Sequence, residues 1–378
     1  MKFDFFRLTG KWKGLIMRQK FYSLKNILAK NAQYNVIFGE RSNGKTYSVL
    51  KYGLQRFAEH GEQLAIVRRW QDDFTGKRGA TMFDALAANG EISRVTGGEW
   101  TGVYYYGSRW FLCRYEDDKR VTNEKPFAYG FSISSMEHDK STSYPDITTI
   151  CFDEFLTRTT YLPDEFVLFM NVVSTIVRHR TNVTIFMLGN TVNRYCPYFK
   201  EMGLTHVKEM KPGDIDLYRY GESELTVAVE YTTPNKHGKE SDLYFAFDNP
   251  KLSMITGGAW EIDIYPHCPV KYTPGEILFT YFIEFAGDLL QCEIIQHGDT
   301  CFTFVHRKTT EIKNPETAVV YSPDFSPRPN YKRKITKPTN NLEKKIAEHF
   351  VKDKVFYSDN EVGEIVRNYL IWCGKAVS

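Results

Sequence analysis

No run of about 20 consecutive apolar residues occurs in the 378-residue chain, which leaves no candidate for a membrane-spanning helix. The first 30 residues hold no apolar core of signal-peptide length either, so no secretory leader is expected. Cysteine is sparse and unpatterned: seven residues, an odd number, without a C-x-x-C spacing. That usage argues for reduced thiols in a cytosol-like compartment. Net charge is only +3, so no global field marks a nucleic-acid binder, and any basic surface has to be local. His297, Cys301 and His306 lie close enough in "HGDTCFTFVH" to suggest a metal, but the alternation in "TCFTFVH" fits a strand better.

What is present supports packed cores. The chain is 42% hydrophobic and 15% aromatic, and long enough for two domains. Its N-terminal stretch carries Lys2, Arg7, Lys11, Lys13, Arg18, Lys20, Lys25 and Lys30 against one acid, Asp4. Residues 1–32 therefore read as a basic arm for DNA, RNA or an acidic partner. The same residues also suit a solvated helix face with Leu15, Phe21, Leu24 and Leu28 packed beneath.

The strongest motif is "NVIFGERSNGKTYSVLKYGL". Gly39-Glu40-Arg41-Ser42-Asn43-Gly44-Lys45-Thr46 fits the P-loop pattern G-x-x-x-x-G-K-[ST], after an apolar strand and before a helix. Glycines let successive N–H groups face one concavity, an anion nest at a helix N-terminus. Lys45 would reach the β- and γ-phosphates of ATP, and the Thr46 hydroxyl would hold Mg²⁺.

A P-loop needs a carboxylate at the end of a neighbouring strand. "DITTICFDEFL" supplies Asp153 as the metal-holding acid and Glu154 as the group placed to polarise a water. Kinases of this class need no such glutamate, so Glu154 favours hydrolysis, in a sheet with a strand inserted between the two motifs. "QLAIVRR", "FAYGFSIS" and "NVTIFMLGN" read as further strands, and "LPDEFVLFMNVVSTIVRHR" as a helix. The βα alternation predicts an α/β fold, an ASCE-type P-loop NTPase domain with a mostly parallel sheet. Asn190, at the end of its strand, is placed to sense the γ-phosphate. Arg178 and Arg180 leave the helix after Asp153; they suit either a finger into a neighbouring subunit's site or simple complements to the helix dipole.

Together, "GERSNGKTY", "LAIVRRW", "KSTSYPDITTICFDEF", "VVSTIVRHR" and "LGNTVNRYCPYF" resemble the DNA-packaging ATPases of phi-29-like short-tailed phages, relatives of terminase large subunits. The likeness runs from about Gln33 to Phe199, and "FYSDNEVGEIVRNYLIW" resembles the family's last helix. It implies a homo-oligomeric ring, a pentamer, at the portal (connector) of a prohead. The ring would drive double-stranded DNA inward in the host cytoplasm, with a packaging RNA among its partners and no membrane. Carried over, the resemblance makes Lys45 and Thr46 the P-loop pair, Asp153 the metal carboxylate, Glu154 the catalytic one and Arg178 the trans-acting arginine. Lys140 matches a lysine just before the acid-bearing strand. Arg68 and Arg69 match without a single assignable role. Gln71 stands where relatives can have a DNA-facing lysine, so Lys77 and Arg78 become the substitute candidates.

The expected layout is a core over 33–200, a lid and linker over 201–242, and a smaller α+β RNase H-like domain over 243–378. In the last, "LYFAFD", "WEIDIY", "ILFTYFIEF", "LLQCEII" and "CFTFVH" read as strands and two helices follow. Glu284, Asp263, Asp288, Asp324 and Asp359 are the acids available to a two-metal nuclease. Because phages of this type are thought to package unit-length genomes, an inactive nuclease fold is expected. Arg328, Lys332, Arg333, Lys334 and Lys337 form a basic run for phosphate contact or a solvated loop. Alternatives are a nuclease-active terminase-like protein and a general P-loop DNA-translocating ATPase.

Overall fold

The computed structural model describes residues 22–138, 142–158, 161–221, 224–234, 260 and 263–374. A short helix α1 (Lys25–Leu28) leads into β1 (Tyr34–Gly39), α2 (Lys45–His60) and β2 (Gln63–Arg68). Short helices α3 (Gly76–Ala80), α4 (Asp84–Ala88) and α5 (Glu91–Val95) precede β3 (Gly102–Tyr106), β4 (Arg109–Glu116) and β5 (Lys119–Thr122). Then come β6 (Ala128–Ser132), β7 (Ile147–Asp153), α6 (Glu165–Val177), β8 (Thr184–Asn190) and α7 (Pro197–Glu201). Strands β9 (Ile215–Arg219) and β10 (Thr226–Tyr231) complete this unit.

Among the described residues these strands form one sheet, ordered β3-β4-β6-β2-β7-β8-β1-β10-β9 with β5 beside β4. From β6 to β10 the neighbours are parallel. Strand β8 lies between the P-loop strand β1 and the acid-bearing strand β7. That is the inserted strand expected from Glu154.

Why the central strands read as continuous apolar runs follows from their two covered faces. Val36 and Phe38 of β1, Ala65 and Val67 of β2, Ile150 and Phe152 of β7 and Ile185 and Met187 of β8 enter a core with α6 and α7. The alternate residues Ile37, Leu64, Ile66, Cys151, Phe186 and Leu188 enter a second core under α2. Each face takes every other residue, as the pleat requires.

Two boundaries differ from the sequence expectation. Residues 215–231, read as lid and linker, belong to the first sheet. Strand β10 pairs with β1 from Tyr34↔Val227 to Phe38↔Tyr231, and Val227, Ala228 and Val229 are fully buried. Charged, turn-rich flanks concealed this short apolar strand. The N-terminal arm is also shorter than expected: Leu24, Ile27 and Ala32 are buried in the core under α2, and residues 1–21 lie outside the described residues.

The C-terminal unit is built on a three-strand antiparallel meander, β11 (Ile277–Phe285), β12 (Asp288–His297) and β13 (Thr300–Arg307). Short β14 (Val320–Tyr321) and β15 (Tyr331–Lys332) extend one edge in parallel. After α8 (Asn341–Val351), β16 (Val355–Tyr357) extends the other, and α9 (Asn360–Trp372) follows. Val362, Ile365, Val366 and Tyr369 of α9 recur every three to four residues and share one core with β11–β13. Of the two other strands expected here, "LYFAFD" lies outside the described residues. Residues 263–265 of "WEIDIY" are irregular, with the Tyr265 hydroxyl donating to Glu364 at 2.7 Å.

Loops following β7 and β8 meet this unit. Arg158 pairs with Asp263 at 2.6 Å, Arg367 donates to the Arg158 carbonyl at 2.8 Å, and Asn193 donates to Asn368 at 2.6 Å.

Candidate nucleotide site

At the end of β1 the chain must turn sharply beneath Thr232. A Cβ on Gly39 would stand 2.0 Å from the Thr232 hydroxyl oxygen, and φ there is +154°, so only glycine fits. Gly44, at φ 92°, opens α2 without a side chain to cap it. Between them Asn43 organises the loop. Its Nδ2 donates to Thr232 Oγ1 at 2.8 Å, and its Oδ1 accepts from the Lys45 amide at 3.3 Å. The Asn43 carbonyl accepts the Tyr22 amide at 3.0 Å, which ties the segment before α1 to the loop.

Lys45 is 5% exposed, and its ammonium donates to the Glu40 carbonyl at 2.6 Å and Asn43 Oδ1 at 3.2 Å. It also lies 3.4 Å from both the Gly39 carbonyl and Asn190 Oδ1. Burial pushes its pKa down to about 8, against the opposing pull of Asp153 and Glu40. The Thr46 hydroxyl donates to Asp153 Oδ1 at 2.9 Å. Thus Gly39–Thr46, Asp153 and Asn190, the residues singled out by motif, meet at the carboxyl ends of β1, β7 and β8.

Glu154 lies beside them, its side chain 62% exposed and its backbone left-handed at φ 63°. Sequence reasoning left Arg68 without a role; the geometry supplies one. From the end of β2 it reaches Asp153 Oδ2 at 2.5 Å and Glu154 Oε2 at 3.1 Å, bridging both acids and offsetting part of their charge. The signal was its position: a cation ending the strand adjacent to the one that ends in two acids.

Arg178 and Arg180, alike in sequence, part company here. Arg180 donates to the carbonyls of Tyr144, Pro145, Ile147, Ile176 and Val177, pinning the end of α6 to the start of β7. Arg178 is exposed and donates to the Thr142 carbonyl at 3.0 Å. Its backbone, at φ 53° and ψ −116°, is one that side chains avoid. Lys140 lies outside the described residues. Lys77 and Arg78 are exposed on α3, and Gln71 accepts a hydrogen bond from Ser135 at 2.9 Å.

The acids of the C-terminal unit do not converge. Asp263 pairs with Arg158, Asp288 with Arg307 at 2.5 Å and Lys208 at 3.3 Å, and Asp324 with Lys200 at 2.8 Å. Asp359 caps α9 by accepting the Val362 amide at 2.9 Å, and Glu284 sits on β11 opposite Leu289. His297 pairs with Glu276 at 2.6 Å, His306 with Glu293 at 3.6 Å, and Cys301 lies 3.9 Å from His349. Among the described residues no three His, Cys, Asp or Glu side chains form a metal-binding group. Lys332, Arg333, Lys334 and Lys337, with Thr339 and Glu343, line a cavity of about 300 Å³. Arg333 and Lys334 lie over the Trp372 ring at 5.4 and 5.3 Å.

Residues 16–212 match the family model described as podovirus DNA encapsidation protein (Gp16). A DNA packaging protein of Bacillus phage B103 is 31% identical over 176 residues, 45% of this chain and 48% of that protein. The chain spans about half the length of the curated relatives it matches. Two solved structures share its fold over most of its length. The Phi-28 gp11 DNA packaging motor superposes with a TM-score of 0.52 at 16% identity, covering 95% of this chain and 99% of that one. The bacteriophage Phi-29 viral genome packaging motor assembly gives 0.53 at 19% identity, covering 92% and 96%. With the family model spanning more than half of its residues, the chain belongs to the podovirus DNA encapsidation protein (Gp16) family.

Proposed function

We propose that this chain is the ATPase of a viral DNA-packaging motor, hydrolysing ATP to ADP and phosphate to drive double-stranded DNA into a prohead. The observation that carries the reading is the convergence of Lys45, Thr46, Asp153, Glu154 and Asn190 on one edge of a parallel sheet. The Lys45 ammonium and the N–H groups of the loop bind the phosphates of ATP. Thr46 Oγ1 and Asp153 Oδ1, 2.9 Å apart, are hard oxygen donors that fit Mg²⁺. Held by those residues, the ion would offset the negative charge of the phosphates. Glu154 takes the proton of the attacking water, and Asn190, already near Lys45, orients toward the terminal phosphate.

Arg178 serves the neighbouring subunit. Its exposed side chain, on a strained backbone of the kind found at functional sites, supports that role. The family resemblance adds the setting: a homo-oligomeric ring, a pentamer in the assembled motor, docked at the portal vertex in the host cytoplasm with a packaging RNA as a further partner. Lys140 would act across the same interface, and Lys77 and Arg78 on DNA. Among the described residues no helix is long and apolar enough to cross a membrane. The layout that fits is a basic arm, a P-loop core over about 33–231 and a C-terminal RNase H-like unit. The meander with parallel edge strands and two covering helices supports the last. Asp263, Asp288, Asp324 and Asp359, each engaged elsewhere, favour docking over cutting.

The test is phosphate release with and without double-stranded DNA, in the parent, Glu154→Gln and Arg178→Ala. DNA-stimulated turnover lost in both variants, and restored on mixing them, would establish a shared site. Turnover that survives Arg178→Ala would remove the trans role.

A further inference from the structure

Arg68, which ends β2, and Arg69, which follows it, divide their work. Arg68 faces the carboxylates; Arg69, just past the strand, is 7% exposed and bonded through all three of its nitrogens. Its Nε and Nη2 donate to Glu165 Oε2 and Oε1, both at 2.8 Å, a bidentate fork. Nη2 also donates to the Phe155 carbonyl at 3.0 Å, and Nη1 to the Glu154 carbonyl at 3.3 Å. The Tyr161 ring lies 5.1 Å from the guanidinium carbon. Glu165 is equally committed: it accepts the Leu162 amide at 2.7 Å and the Tyr198 hydroxyl at 2.9 Å, and its side chain has no exposed surface.

Each contact bears on the site. Glu154 holds a left-handed backbone, and the guanidinium grips its carbonyl and the next from behind, leaving the carboxylate forward in the site. Glu165 is the first residue of α6, and Arg178 follows that helix's last residue, 13 residues or about 20 Å away. One buried cation thus touches both the turn bearing the catalytic carboxylate and the helix bearing the exported arginine.

We propose that Arg69 is a positioning residue that fastens the Glu154 turn to α6, so that this subunit's water-activating acid and the arginine it lends its neighbour move as one body. The inference rests on the roles given above to Glu154 and Arg178. It also explains the residue type: a planar fork holds a carboxylate and two carbonyls together, which a lysine ammonium cannot.

The experiment compares full-length parent, Arg69→Lys, Glu154→Gln and the double variant by thermal melting, affinity for a fluorescent ATP analogue, and kcat and KM. Arg69→Lys should lower kcat about 10- to 100-fold, as misplacement of a reacting group does, with analogue affinity within about twofold of the parent. It should add nothing in the Glu154→Gln background. As an arginine donor to Arg178→Ala subunits, the double variant should restore less turnover than Glu154→Gln alone. Arg69→Gln with Glu165→Gln removes both buried charges, so it should fold and still lose kcat. Unchanged kcat in either folded variant would overturn the proposal, as would parallel losses of melting temperature, affinity and kcat. Turnover that survives Glu154→Gln would instead overturn the reading of Glu154 on which the proposal rests.

Discussion

The two sheets treat their acids in opposite ways. In the N-terminal sheet Asp153 ends one strand and Glu154 follows it; the two share one counter-ion, Arg68, and Asp153 accepts from Thr46 of the Gly39–Thr46 loop. In the C-terminal unit Asp288 on β12, Asp324 in the loop after β14 and Asp359 before α9 stand apart, each with its own cation or helix end. Parallel strands bring their carboxyl ends to one edge and so gather side chains there. An antiparallel meander sends successive strand ends to opposite edges and disperses them. The difference teaches that chemistry follows convergence of charge, not the number of acids.

The sharpest way to break that comparison is at Arg178. Glycine suits φ 53°, ψ −116°, so Arg178→Gly should keep or raise the melting temperature by relieving a strain of about 1 kcal/mol. Turnover of the assembled motor should nevertheless fall about 10³-fold or more, the usual worth of such an arginine. A variant that is both less stable and fully active would place Arg178 with Arg180, as a helix-end contact.

Next in size is the contrast between Glu154 and Glu284. Phosphate release should fall about 10²–10⁴-fold in Glu154→Gln, the range for removing a general base. It should stay within about twofold in Glu284→Gln. With Mn²⁺ the parent should leave supercoiled plasmid intact. Cutting that disappears in Glu284→Ala would show that the C-terminal acids converge after all.

Much of this division was legible in the chain. Gly39 to Thr46, Asp153 and the apolar runs of β1, β2, β7 and β8 announced the edge where the candidate site lies, because a buried parallel strand must be apolar on both faces. Other features were hidden for identifiable reasons. Strand β10, "TVAVEY", lay between charged turns and read as linker. The β3–β4–β5 hairpins went unread although each turn leaves a trace: Gly107-Ser108 and Asp117-Asp118 all take positive φ, as two-residue hairpin loops demand. Arg69 and Glu165 are 96 residues apart, and nothing local marks either as the other's partner. Thr232, which fixes Gly39 and Asn43, follows the strand that was missed.

The smallest expected effect concerns what the C-terminal unit does with its charges. Glu293 on β12 is 7% exposed, and His306 on β13 faces it at 3.6 Å. That imidazole, foremost, holds the Glu293 carboxyl down at about 2 against burial, with help from Tyr272 and Gln291. In return Glu293 raises the His306 pKa above its ordinary 6.5. The depressed acid stabilises the fold above about pH 4.5, and its contribution is lost as pH falls toward 2. The raised base stabilises it below 6.5, and its contribution is lost as pH climbs through the folded value. The pair is therefore at full strength between about 4.5 and 6.5. Melting the parent and His306→Asn at pH 5.5 and 8.5 should show the parent's advantage shrinking by about 1–2 °C at the higher pH, the shift that roughly 1 kcal/mol produces in a chain of 378 residues. ATP turnover measured over the same interval should not distinguish the two proteins. If His306→Asn altered turnover and left melting alone, the charges of the second sheet would be serving the chemistry of the first.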